Sequence, residues 1–106
     1  MEKRLTELEP VFMDTLPDVK DLEYGKMYIS RKYGVSEHLC PDGCGETVST
    51  LFFNPDCPEC PREGGRPEWK FIFTENGKVM VHPSVLNRNC PNRAHYYITY
   101  NRIQWL

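Results

Sequence analysis

Apolar positions along this chain recur with a period of two, in short runs separated by turn-forming residues. Lys26-Met27-Tyr28-Ile29-Ser30 alternates polar and apolar and predicts a strand. Thr47 to Phe53 is rich in β-branched and aromatic residues and predicts another. Trp69 to Thr74 and Lys78 to His82 flank Glu75-Asn76-Gly77, and Asn-Gly between apolar runs is a strong hairpin signal. Tyr96 to Tyr100 and Arg102 to Trp105 flank Asn101 and predict a second, tight hairpin. Val11 to Met13 reads as a further strand, with turns at Leu16-Pro17-Asp18 and Glu23-Tyr24-Gly25. Residues 1–9 are charged and carry Leu5 and Leu8 at helical spacing, which reads as a short helix or a frayed arm ended by Pro10. Residues 83–94 read as irregular. The expectation is a small, mainly β single domain spanning 1–106, with about six short strands, little helix, an arm at 1–10 and a Cys-containing loop at 54–68.

Length and composition agree with that pattern. A chain of 106 residues buries one modest core. Nine prolines and seven glycines favour short elements and many turns. Mean hydropathy is −0.58, and no apolar run approaches the roughly 20 residues of a membrane span. MEKRLTELEP has no apolar signal-peptide core, so the expected location is cytoplasmic. Net charge is −2 and the pI about 5.9, which argues against a nucleic-acid partner. Arg88, Arg93 and Arg102 read as a solvated edge, and Tyr96, Tyr97, Tyr100 and Trp105 as hairpin positions rather than a base-stacking platform.

Cysteine changes the picture. Five cysteines fall in three clusters with metal-ligand spacing: His38-x-Cys40-x3-Cys44, Cys57-x2-Cys60 and Cys90-x4-His95. Thiolate and imidazole suit tetrahedral Zn2+. In a reducing compartment, paired cysteines hold metal more often than they form disulfides. Cys40-Pro41-Asp42-Gly43-Cys44-Gly45 is built of turn residues, and its glycines let the backbone bend around an ion. Two ligand sets can be drawn. Cys40, Cys44, Cys57 and Cys60 form a ribbon-like pattern, which spacing alone favours. Cys40, Cys44, Cys90 and His95 join the first loop to the last.

Four stretches together resemble a known family. They are His38-Leu39-Cys40-Pro41-Asp42-Gly43-Cys44-Gly45, Val81-His82-Pro83-Ser84-Val85, Cys90-Pro91-Asn92-Arg93-Ala94-His95-Tyr96-Tyr97-Ile98 and Ile103-Gln104-Trp105. The chain is similar to a small bacterial zinc-binding family, domain-of-unknown-function family 6527, over roughly residues 11–105. Members often sit beside genes for ubiquitin-like modifiers and their activating and conjugating enzymes. The resemblance implies a peptidase that matures or removes the modifier, with a ubiquitin-like protein or its conjugation enzymes as partner. It favours Cys40, Cys44, Cys90 and His95 as the metal ligands. The chain departs from the family pattern at Asp42, where a further cysteine often stands. The segment with Cys57 and Cys60 looks inserted relative to the family; these two residues are then a second metal site, replacement ligands or spare thiols.

A zinc with four protein ligands is structural, whereas a catalytic zinc keeps a position for water. If the site is closed, chemistry needs other residues. Ser84 is the candidate nucleophile and His38 its candidate base, with backbone N–H groups near Gly43 or Gly45 as an oxyanion site. If the site is open, Glu46 is the candidate general base on a metal-bound water. The likeness of Cys44-x-Glu46 and Cys57-x2-Cys60 to a zinc deaminase fails, because ten residues between Glu46 and Cys57 are too few for the helix and strand required. No βαβ pattern surrounds the Cys-x2-Cys pair, which excludes thioredoxin chemistry. The expected function is peptidase-like action in a bacterial ubiquitin-like pathway; the alternative is a non-catalytic zinc module that binds a protein partner.

Overall fold

A computed structural model describes residues 4–53 and 69–106. The strands are β1 (Glu9–Phe12), β2 (Lys26–Ser30), β3 (Val35–Leu39), β4 (Thr47–Phe53), β5 (Trp69–Phe73), β6 (Val79–Leu86), β7 (His95–Thr99) and β8 (Arg102–Trp105). A single 3-10 turn, Val19–Asp21, is the only helical element among the described residues. The strands follow one another in sequence order across one eight-stranded sheet. Neighbours are antiparallel except β1 with β2 and β4 with β5. The mainly β expectation is met.

The sheet curls until its ends meet. Leu8 N–H donates to Asn101 O at 2.9 Å, and Ile103 N–H donates to Thr6 O at 2.8 Å. The stretch expected to be a helix or a frayed arm holds no helix over its described residues and bridges β8 at Glu7 and Arg102, and Pro10 lies inside β1 rather than ending an element. The cause is tertiary: Leu8 is fully buried and anchors the segment. Phe52, Phe71, Val81, Val85, Tyr96 and Ile98 fill the interior beside it. The Phe52 and Phe71 rings stack at 4.1 Å. Tyr100 and Asn101 both have positive φ, the backbone that a two-residue hairpin turn requires.

Two elements differ from expectation. β3 was not foreseen, because its inward positions are polar: Ser36 and His38 are buried while Val35 and Leu39 are only partly so. The buried pair Ser36 and Thr50 satisfy each other across β3 and β4. β6 continues to Leu86 through a stretch expected to be irregular. It does so with a bulge. Val81 pairs with Ile98 and Val85 with Tyr96, so four steps on β6 match two on β7. The His82–Pro83 peptide in this bulge is cis.

His38 is the buried polar group that most constrains the interior. Its Nε2 lies 2.7 Å from the Tyr96 hydroxyl, across 58 residues of sequence. Burial lowers the His38 pKa to about 4, so the ring is neutral at pH 7. Burial also raises Tyr96, reinforced by Cys40, Asp42, Cys44 and Cys90 nearby, so its hydroxyl keeps its proton. The neutral imidazole and the protonated hydroxyl therefore share one hydrogen bond, and His38 Nδ1 is buried without a partner.

Leu8→Ala removes the anchor that closes the sheet and lowers stability by about 2–5 kcal/mol, measured by urea unfolding. Tyr96→Phe strands His38 Nε2 and costs about 1–3 kcal/mol. Tyr97→Phe, on the exposed face of the same strand, stays within about 0.5 kcal/mol of the parent in the same assay.

Candidate active site and metal centre

The β3–β4 loop is a knuckle. Cys40 N–H donates to Glu46 O at 2.8 Å and closes the loop, while Gly43 N–H donates to Cys40 O at 3.1 Å. Cys44 N–H donates to Asp42 Oδ1 at 2.9 Å. Gly43 and Gly45 have φ of 83° and 87°, which side-chain-bearing residues rarely adopt. The β6–β7 loop faces it. Asn87 N–H donates to Ala94 O at 2.8 Å, and Cys90 N–H to Asn87 O at 3.2 Å, which turns Cys90 inward.

These two loops bring together Cys40, Asp42, Cys44 and Cys90, whose ligand atoms all lie within 4.8 Å of one another and could hold a metal ion. A tetrahedral site with metal–sulfur bonds of about 2.3 Å needs sulfurs about 3.8 Å apart, so a small contraction suffices. The donors suit a cation. Cys90 Sγ donates to Asp42 Oδ2 at 2.8 Å. Burial pushes Cys40 up to about 11 and raises Cys44 as well, which keeps the thiols protonated until a cation displaces the protons. Burial tends to raise Asp42, but hydrogen bonds from Cys90, Cys40 and Cys44 outweigh it and hold the carboxyl below its ordinary range. The Asn87 amide favours the charged form of Cys40, yet its Nδ2 is buried with no hydrogen-bond partner. An orphaned donor beside a thiol fits a site whose sulfur becomes a thiolate on loading.

The fourth member of this group is Asp42, not His95. β7 alternates, with Tyr96 and Ile98 buried and His95 and Tyr97 turned the other way. Tyr96 faces the cysteines, so His95 faces away from them. The Cys90-x4-His95 spacing carries no such parity, and a single aspartate between two cysteines does not show in a cysteine and histidine spacing pattern. Cys57 and Cys60 lie outside the described residues.

His95 meets Ser84 instead. His95 Nε2 stands 2.7 Å from Ser84 Oγ. Ser84 sits in the β6 bulge and opens onto a cleft of about 560 Å³ whose described walls include Thr47, Ser49, Trp69, Leu86, Asn87 and Arg88. Trp69 Nε1 donates to Ser84 O at 3.4 Å and fixes the backbone beneath the hydroxyl. A serine hydroxyl beside an imidazole in a cleft is the arrangement nucleophilic catalysis needs.

The other sequence candidates fall elsewhere. His38 is committed to Tyr96 in the interior, and the imidazole that reaches Ser84 belongs to His95. The Gly43 N–H is spent on Cys40 O and is not free for an oxyanion. Glu46 is exposed at the end of the knuckle, outside the four-residue group. Among the described residues, no helix is long and apolar enough to cross a membrane.

Comparison with known proteins adds one finding. Neither the curated proteins nor the solved structures offer a match. One family model does match, over residues 12–106, and its description differs in name from the numbered family that the motifs resemble while sharing the ubiquitination-like association. The match spans nearly all of the chain and includes the knuckle, the β6 bulge and the Ser84–His95 pair, and on that extent this chain belongs to the family described as bacterial ubiquitination-like system serine protease (BubE).

Proposed function

We propose that this chain is a serine peptidase that cleaves at the C-terminal tail of a ubiquitin-like modifier, either maturing the modifier or releasing it from conjugates. The observation that carries the reading is the 2.7 Å contact between Ser84 Oγ and His95 Nε2 at the edge of the cleft. The family description supplies the pathway.

The chemistry follows from the pair. His95 Nε2 accepts the Ser84 hydroxyl proton as Oγ bonds to the substrate carbonyl carbon. The carbonyl electrons move onto oxygen, then return as the bond to the leaving amine breaks. His95 passes its proton to that amine, leaving an acyl ester on Ser84. Water then gives its proton to His95 and attacks the ester, and Ser84 leaves with the proton restored. His38 has no step here: it is neutral, buried and bound to Tyr96.

Zinc is the ion this donor set fits, held by Cys40, Asp42, Cys44 and Cys90. A site with four protein ligands is closed, so its chemistry is structural. Cys90 lies between Ser84 on β6 and His95 on β7. Fixing Cys90 to the β3–β4 knuckle therefore fixes the loop that sets these two side chains against each other. In this reading Asp42 does the work of the cysteine found at its position elsewhere in the pattern, and Glu46 has no catalytic part.

With a precursor or conjugate of the modifier as substrate, Ser84→Ala and His95→Ala each lower kcat/KM by at least about a thousandfold, while His38→Gln and Glu46→Gln retain most of it. Activity that survives Ser84→Ala defeats the serine reading. Substrate left intact by the zinc-loaded parent protein leaves the chain a non-catalytic binding module.

Metal analysis of the purified protein is expected to give one zinc with a shell of three sulfurs and one oxygen. Cys90→Ser loses the zinc and lowers both stability and activity. Asp42→Cys keeps the zinc, and Cys57→Ser with Cys60→Ser changes neither shell nor activity. A shell with a bound water, or one altered by the Cys57 and Cys60 changes, would overturn the closed site.

A further inference from the structure

Charge is divided unevenly along this chain. Residues 69–106 hold five basic residues, Lys70, Lys78, Arg88, Arg93 and Arg102, against one acidic residue, Glu75, for a net charge of +4. Residues 1–68 hold eight basic and fourteen acidic residues, for a net charge of −6. The basic part is the part that folds as β5 to β8, and both Ser84 and His95 belong to it. An acidic overall balance therefore conceals a basic half of the sheet around the serine and histidine.

Strand parity places the cations. Phe71, Val79, Val81, Ile98 and Ile103 are buried in the interior. Alternation turns Lys70, Lys78, Tyr97, Arg102 and Gln104 to the outer side, which is also the side of His95. Tyr97 pairs with Gln104 and Thr99 with Arg102, so the outer face is continuous from His95 to Arg102. At the end of this face away from His95, Lys78 and Arg102 line an open pocket of about 650 Å³ together with Thr99, Tyr100 and Gln104. The described walls of this pocket all come from residues 74–104, and none is a carboxylate. Lys78 and Arg102 are both exposed. The ion pairs among the described residues both belong to Lys26. Glu7 stands opposite Arg102 at a β-bridge without forming an ion pair with it. His95 and Thr99 are four residues apart on β7, about 13 Å at the usual strand rise.

We propose that this outer face docks the folded body of the modifier through a cluster of its carboxylates, seated on Lys78 and Arg102, so that the tail leaving that body reaches Ser84. This rests on the serine peptidase reading above and names the surface that recognises the substrate. Charge complementarity selects the occupant. Arg102 offers a planar fork that matches a carboxylate, and Lys78 adds a point charge beside it. Thr99, Tyr100 and Gln104 supply neutral hydrogen-bonding groups around the two cations. A nucleic acid would need a track of phosphate contacts, whereas the face between the pocket and His95 is neutral at Tyr97 and Gln104. Opposite charges also steer the encounter, which places the modifier on the side of the sheet where the nucleophile lies.

The test is binding of the modifier's full-length precursor to zinc-loaded Ser84→Ala protein, by calorimetry at low and high salt. Lys78→Glu with Arg102→Glu, added to that protein, weakens binding at low salt by at least about tenfold, and Lys78→Gln with Arg102→Gln weakens it by an intermediate factor. The difference narrows at high salt, as screening of exposed charges requires. Lys20→Glu with Lys32→Glu, the same change in charge outside this face, leaves binding within about twofold of the parent. Equal weakening by the two glutamate pairs reduces the effect to net charge and overturns the surface. So does binding that ignores all the variants, or displacement of the precursor by a short DNA duplex. Cleavage of the precursor by the parent protein is measured in parallel. A precursor bound through this face but left intact sinks the serine reading and keeps the surface. A precursor cleaved, with binding indifferent to Lys78→Glu and Arg102→Glu, sinks the surface and keeps the serine reading.

Discussion

Cys90 and Asp42 are 48 residues apart in sequence and meet at 2.8 Å, and the useful geometry of this protein depends on that meeting. One residue belongs to the β3–β4 knuckle and the other to the β6–β7 loop. A chain of 106 residues buries a modest core, and these two loops lie at its edge. Here the donors of Cys40, Asp42, Cys44 and Cys90 converge where two otherwise independent loops cross. Tyr96 packs beside them, and through it His38, so the polar interior is continuous from the knuckle to β3.

The same closure separates structure from chemistry. The two histidines of the sequence motifs sit on opposite sides of this division. His38 is sealed, neutral and bound to a tyrosine. His95 is half-exposed at the start of β7 and bound to a serine in a cleft. Neither is a donor to the four-residue group. A serine in a strand interior would normally point straight in or straight out. The bulge in β6 gives Ser84 an intermediate direction, toward the neighbouring strand's histidine.

Most of the sheet was legible because β-branched and aromatic residues gather in short runs bounded by turn residues. β2, β4, β5, β7 and β8 were foreseen nearly to the residue on that ground. β3 was illegible for the opposite reason: Ser36 and His38 are its buried residues, and their partners Thr50 and Tyr96 come from other strands. β6 was cut short because Pro83 reads as a terminator, and only a bulge makes it compatible with a strand. The site was half legible. Three cysteines and Ser84 stood out by type, but the assignment of His95 required knowing which face of β7 it occupies. Asp42 required seeing that a carboxylate can stand in a cysteine's place.

The bulge in β6 has an arithmetic consequence for sequence change. It holds two surplus residues, an even number, so Val81 and Val85 point to the same side of the sheet despite the interruption. Losing both would leave the inward and outward assignment of every later residue intact while erasing the site's geometry. Losing one would turn Val85 outward and Leu86 inward and scramble the strand as far as the loop that carries Cys90. Length variation at this point should therefore be quantised: chains differing by two residues can share the fold without sharing the chemistry, and chains differing by one can share neither.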